Sequence, residues 1–207
     1  MFDLDGTLAD TGRDLAISLN YTRSCLDLAP LEERWVYGQV GRGVEHLLRS
    51  CLPEGHQERF REAMGLFLGH YENHLLDNTV LYPHVREALD YFDTKRRVVV
   101  SNKLRGLTVS VLKGLGIRDC FDAILGGDSI VNKKPDPEPL NRVLSRFEIR
   151  PEKALMVGDS GTDVEAGKRA GVYTCGVTYG LGKREELIRA GPDILIDDIE
   201  QLTEHFR

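Results

Sequence analysis

At 207 residues the chain has room for one large domain, or for one domain carrying a smaller insertion. Hydrophobic residues make up 41% and charged residues 29%, the balance of a soluble protein that buries a core. A net charge of −6 argues against a broad basic face for nucleic acid or an anionic membrane, because Lys95-Arg96-Arg97, Lys133-Lys134 and Lys183-Arg184 are short and scattered.

The chain opens on Met1-Phe2-Asp3-Leu4-Asp5-Gly6-Thr7. Asp3 and Asp5 are two positions apart, so at the end of a strand their side chains start on one face. Gly6 lets the backbone turn away, and Asp10-Thr11 offers a cap for a following helix. Only Met1 and Phe2 precede Asp3, fewer apolar residues than a strand normally brings to its functional end. From residue 12 to about 79 strand-like runs are absent. Apolar residues instead recur at helical spacing, as in Leu15, Leu19 and Leu26, then Val44, Leu47 and Leu48, then Phe60, Met64, Phe67, Leu68 and Tyr71. This segment is expected to be a helical insertion.

Beyond it lie five apolar, β-branched runs ending in small or acidic residues: 97–102, 121–127, 154–159, 172–177 and 193–197. Runs that are apolar on both faces read as strands of a parallel sheet. Helix-like segments at about 104–116, 137–147, 162–170 and 183–190 separate them. The expected fold is therefore α/β, a doubly wound parallel sheet with a Rossmann-like core and a helical cap domain inserted after the first strand. The expected division is 1–11 and 80–207 for the core and 12–79 for the cap.

Ligands of open α/β sheets bind beyond the carboxyl ends of the strands. Here those ends carry Asp3 and Asp5, Ser101-Asn102, Lys133-Lys134-Pro135, and Gly158-Asp159-Ser160-Gly161-Thr162-Asp163. A pair of acids alone would be an ordinary turn. Acids, a hydroxyl and an amine gathered at one edge suit phosphoryl transfer. A carboxylate attacks phosphorus, a hard divalent cation held by carboxylates neutralises charge, and a lysine and a hydroxyl hold the phosphoryl oxygens. A second acid protonates the leaving oxygen and later deprotonates water.

The run Phe2-Asp3-Leu4-Asp5-Gly6-Thr7-Leu8, with Ser101, Lys134 and Gly158-Asp159-Ser160-x-x-Asp163, resembles the haloacid dehalogenase superfamily over the whole chain. The resemblance implies that Asp3 is the nucleophile and a Mg²⁺ ligand. Asp5 would be the general acid and base and would offer its carbonyl to the metal, and Asp159 would be a further ligand. Ser101 and Lys134 would bind the phosphoryl group, with Asn102 alongside and Thr7 positioning the adjacent flap. Asp163 would support the metal or hold Lys134. The presence of Asp5 favours phosphoryl over haloacid chemistry. Val40-Gly41-Arg42-Gly43-Val44, Asn102-Lys103 and Asn132-Lys133-Lys134-Pro135 resemble the phosphoglycolate phosphatase group. So does Tyr82-Pro83-His84-Val85, although glycine is usual where His84 stands. Arg42 is the candidate for a substrate carboxylate, its alternative being a solvated loop arginine.

These readings predict a cytoplasmic, Mg²⁺-dependent phosphatase acting on a small phosphorylated metabolite, foremost 2-phosphoglycolate, through an aspartyl phosphate. A monomer or homodimer is expected, with neither nucleic acid nor membrane as partner. The alternatives are a pyrophosphatase, a β-phosphoglucomutase-like phosphomutase, or a non-catalytic binding protein on the same fold. Cys25, Cys51, Cys120 and Cys175 form no C-x-x-C pair, so neither disulfides nor zinc are expected. No apolar run is long enough to span a bilayer, and no signal-peptide pattern opens the chain. His70 and His74 lie on one helix face without a third ligand, and read as a solvated surface.

Overall fold

The computed structural model describes residues 1–206. After the opening segment the chain forms a two-residue strand, β1 (Ala9–Asp10). Four helices follow: α1 (Gly12–Cys25), α2 (Glu33–Tyr37), α3 (Val44–Cys51) and α4 (Phe60–His74). It then alternates through β2 (Val80–Leu81), α5 (Val85–Tyr91), β3 (Val98–Val100), α6 (Arg105–Gly114), β4 (Ala123–Leu125), α7 (Glu138–Phe147) and β5 (Leu155–Gly158). It closes with α8 (Gly161–Ala170), β6 (Tyr173–Val177), α9 (Arg184–Ala190), β7 (Ile194–Ile196) and α10 (Leu202–His205).

β3 pairs in parallel with β4, and β5, β6 and β7 form a parallel set. Phe2 joins the two groups, bridging to Val99 on one side and to Val157 on the other. The sheet order is therefore β4-β3-(Met1–Asp3)-β5-β6-β7. The opening segment is short but firmly held. Phe2 N–H donates to Val98 O and Asp3 N–H to Val157 O, while Val100 and Val157 donate back to Phe2 O and Met1 O, each at 2.9 Å. The Phe2 ring also meets Phe121 edge-on, at 6.3 Å between centroids. The segment lies in the middle of the sheet and has a partner on each side.

Alternation along β3 fixes the layers. Val98 and Val100 face a cluster with Leu140, Val143 and Leu144 of α7 and Ala166 and Ala170 of α8. Val99 faces the opposite cluster, with Ala88 and Leu89 of α5, Leu107, Val111 and Leu112 of α6, and Leu202 of α10. Helices thus cover both sheet faces, as a buried parallel sheet requires. The second cluster is continuous with the α1–α4 helices through Leu15, Leu19, Phe67 and Tyr71.

The chain leaves and re-enters the sheet region through a two-rung antiparallel ladder, Ala9 opposite Leu81 and Asp10 opposite Val80. Asp14, buried in the first turn of α1, fastens this crossing by accepting from the backbone N–H groups of Asn78 and Thr79 and from both their side chains. At re-entry His84 takes φ +58°, the left-handed conformation that glycine adopts without a Cβ penalty. Its Nδ1 pairs with Asp198 Oδ2 at 2.7 Å. All four cysteines are unpaired. No helix among the described residues is long and apolar enough to cross a membrane.

Candidate active site

The register places the chemistry. With Phe2 level with Val99 and Val157, the residues just beyond the strand ends are Asp3, Ser101 and Asp159, side by side at one edge. All three are buried, as are Asp5, Lys134 and Asp163. Lys134 reaches this cluster from the loop after β4, across a cis bond to Pro135. Its Nζ lies 2.6 Å from Asp163 Oδ1 and 3.2 Å from Asp3 Oδ1, whereas Lys133 is only half-buried. Asp163 also closes a capping box at the start of α8, accepting from Ser160 N–H and Oγ. One carboxylate therefore fixes both a helix terminus and the buried amine.

Burial pushes the Asp3 carboxyl up to about 7, against the opposing pull of the Lys134 ammonium. Asp159 is pushed well above the usual carboxylate range, again chiefly by burial, with Asp163 and Asp3 adding repulsion. One oxygen of Asp159 is fixed by N–H groups of Leu181 and Gly182, both at 2.8 Å. Gly6 (φ +81°) and Gly180 lie so close to Asp159 that a Cβ on either would overlap its side chain. The sequence Gly180-Leu181-Gly182, no nucleotide fingerprint, is thus a clamp on this acid.

Carboxylate oxygens of Asp3, Asp159 and Asp163 lie within 4.8 Å of one another. Buried carboxylates in mutual repulsion, offering only hard oxygen donors, fit a small divalent cation. Asp163 is committed to Lys134 and to its helix cap, which leaves Asp3 and Asp159 as the side chains best placed to hold one.

Asp5 Oδ1 accepts from Thr11 Oγ1 at 2.7 Å and from Lys103 Nζ at 3.0 Å. Thr11 thus spends its hydroxyl on Asp5 and makes no side-chain cap on α1. Lys103 also donates to Tyr71 OH of α4 at 2.8 Å. Asp3, Asp5, Ser101, Asn102, Lys103 and Tyr71 line a cavity of about 40 Å³ between the sheet edge and the helical segment. The rest of its wall is mainly apolar, from Leu15, Val40, Val44, Leu47, Phe67, Leu104 and Leu107.

Three predicted substrate contacts stand differently. Asn102 has both amide N–H donors engaged, on Gly41 O and Lys134 O, and its Oδ1 accepts from Lys134 N–H. It ties the lysine loop to the Val40–Val44 loop. Thr7 is fully buried, its hydroxyl has no hydrogen-bond partner, and its carbonyl accepts from Tyr179 OH. Arg42 is exposed and lies outside the cavity. Conversely, Lys103 and Tyr71 enter the site although the first shows in sequence only as part of Asn102-Lys103 and the second only as a helical packing position.

A family model described as haloacid dehalogenase-like hydrolase matches residues 1–177. The phosphoglycolate phosphatase of Vibrio cholerae is 37% identical over 214 residues, covering 98% of this chain and 94% of its own. That of Chromobacterium violaceum is 36% identical over 211 residues, covering 97% and 92%. Among solved structures, a predicted phosphoglycolate phosphatase from Haemophilus somnus superposes with a TM-score of 0.94 at 30% identity, covering 100% of this chain and 96% of its own.

Proposed function

The chain belongs to the haloacid dehalogenase-like hydrolase family as a phosphoric monoester hydrolase, and we propose that it is a Mg²⁺-dependent phosphatase whose substrate is 2-phosphoglycolate. The observation that carries the chemistry is the gathering of Asp3, Asp5, Ser101, Lys134 and Asp159 at one sheet edge, with Lys134 Nζ 3.2 Å from Asp3. The substrate is supported by curated relatives that bear the name phosphoglycolate phosphatase over nearly the whole chain. In this reading residues 1–11 and 80–207 form a doubly wound core, and 12–79 form a cap that excludes water from the reaction.

The phosphoryl group sits against Lys134 and the Ser101 hydroxyl, which hold its oxygens while an Asp3 oxygen attacks phosphorus. Asp5 gives its proton to the departing oxygen, leaving an aspartyl phosphate on Asp3, and then takes a proton from the water that hydrolyses it. Asp3, Asp159 and the carbonyl of Asp5 hold Mg²⁺, which supplies neutralisation of phosphate charge. A panel of phosphomonoesters with and without Mg²⁺ tests the reading. Fastest Mg²⁺-dependent phosphate release is expected from 2-phosphoglycolate, and a panel with no turnover overturns the assignment.

The Asp3 shift also carries a pH dependence. Without metal, Asp3 binds its proton up to about pH 7 in the folded state and only to about pH 4 when unfolded. Between these values the folded state holds more protons, so Asp3's contribution to stability falls as pH rises through that window. Mg²⁺ needs the ionised acid and competes with that proton. The rise in melting temperature on adding Mg²⁺ should therefore be small at pH 5.5 and grow up to pH 8. Apparent affinity should weaken at least about tenfold per pH unit below 7, because Asp159 is raised as well and its proton also competes. Mg²⁺ stabilisation that is flat between pH 5.5 and 8 contradicts this account.

A further inference from the structure

Lys103 is the single cation lining the cavity among the described residues, and none of the steps above uses it. Its side chain is 5% exposed. An ammonium carries three donors, and the protein engages two of them, with Asp5 Oδ1 and Tyr71 OH. Its position relative to the reaction follows from those contacts. Lys103 follows Ser101 by two residues and touches the acid that protonates the leaving oxygen. Lys103 therefore stands beside the acid that serves the leaving oxygen and lines the cavity, whereas Lys134 does not line it. The surrounding wall of leucines, valines and Phe67 lowers the local dielectric, which strengthens attraction to an anion and offers little to a neutral polar group.

We propose that Lys103 is the specificity-determining residue of this phosphatase, its buried ammonium binding a carboxylate attached to the carbon that bears the phosphate ester. The inference rests on the phosphatase reading above and deepens it. It assigns to Lys103, at the cavity wall, the role that the sequence suggests for Arg42, which is exposed. The substrate class is a short α-phosphoxy carboxylate. A cavity of about 40 Å³ suits a leaving group of a few heavy atoms. Tyr71 makes the cap a participant, because its hydroxyl from α4 orients the ammonium.

The test compares 2-phosphoglycolate with 2-hydroxyethyl phosphate, which has the same chain length and a hydroxymethyl group in place of the carboxylate. Wild-type protein with Mg²⁺ is expected to favour the carboxylate in kcat/KM. Lys103→Met should lower that preference by about tenfold or more, mostly through KM for 2-phosphoglycolate. Any disturbance of Asp5 affects both substrates alike and cancels in the ratio. Lys103→Gln, which keeps donors for Asp5 and Tyr71 without the charge, should lose the preference equally and serves if the methionine variant does not fold. A wild-type enzyme that hydrolyses both esters without preferring the carboxylate overturns the 2-phosphoglycolate reading and the Lys103 assignment together. A wild-type preference that survives in a folded variant leaves the substrate reading standing and overturns only the role of Lys103.

Discussion

Replacing Asp3 by asparagine is expected to lower kcat by about 10⁴-fold or more while leaving the fold intact. The amide is isosteric, can still accept from Leu4 N–H as Asp3 does at 2.7 Å, and leaves Lys134 its 2.6 Å contact with Asp163. What it lacks is the charge and nucleophilicity needed to form an acyl phosphate. Burial already pushes the Asp3 carboxyl up to about 7, so a neutral group costs the metal-free protein little at pH 8. The Asp3→Asn variant should melt at or above the wild-type temperature without metal and show a much smaller rise with Mg²⁺. Steady-state phosphate release and thermal melts, each with and without Mg²⁺, check both halves. Turnover within tenfold of wild type removes Asp3 from the nucleophile's role.

Lys134→Met has the opposite profile, harming stability and activity together. The side chain of Lys134 is fully buried and is the cation between Asp3 and Asp163. Burial and the charge of Asp163 raise the proton affinity of Asp3, and burial together with Asp163 and Asp3 raises that of Asp159. Both buried carboxylates pull the Lys134 ammonium up, against a burial effect that alone would push it down. Removing one partner of a buried pair typically costs about 3–5 kcal/mol because the remaining charge is left uncompensated. For a chain of this size that is a fall of roughly 6–20 °C in melting temperature. Loss of the amine proposed to bind the phosphoryl group should lower kcat/KM by about 10³-fold. A melt matching wild type would mean that the buried pair adds nothing to stability, and activity within tenfold would move phosphoryl binding elsewhere. Asp163 should feel the same substitution at the start of α8, where its other oxygen serves the capping box.

Much of this is legible in the amino-acid sequence. The runs at 97–102, 121–127, 154–159, 172–177 and 193–197 contain β3, β4, β5, β6 and β7, and the four helix-like segments match α6, α7, α8 and α9 to within a few residues. A strand buried on both faces has to be apolar throughout, so its polar terminus stands out. α5 has no counterpart among the helix-like segments of the sequence. It is seven residues long and follows Pro83 and a left-handed His84, so it shows no strong period and no capping side chain. The glycine expected in place of His84 has a direct structural counterpart in φ +58°.

By itself, then, the sequence determined the parallel α/β core, the helical segment after the first strand, and the acids, hydroxyl and lysine that meet at one sheet edge. The core, the helical segment and the polar strand ends follow from local rules of alternation, helical period and strand termination, which a side chain obeys wherever the rest of the chain lies, whereas Lys134 stands out from Lys133 only through the family resemblance. Tertiary structure alone decided which polar groups near that edge are free. Asp5 and Lys103 are 98 residues apart in sequence, and Tyr71 approaches from a third element. Asn102 is consumed in holding two loops together, Thr11 turns from its helix toward Asp5, and Arg42 points into solvent. Each outcome depends on side-chain direction and on competition among hydrogen-bond partners brought together only by packing. No local pattern encodes that competition, and for that reason the proposed catalytic acids were readable in the sequence while the candidate selector of the leaving group was not.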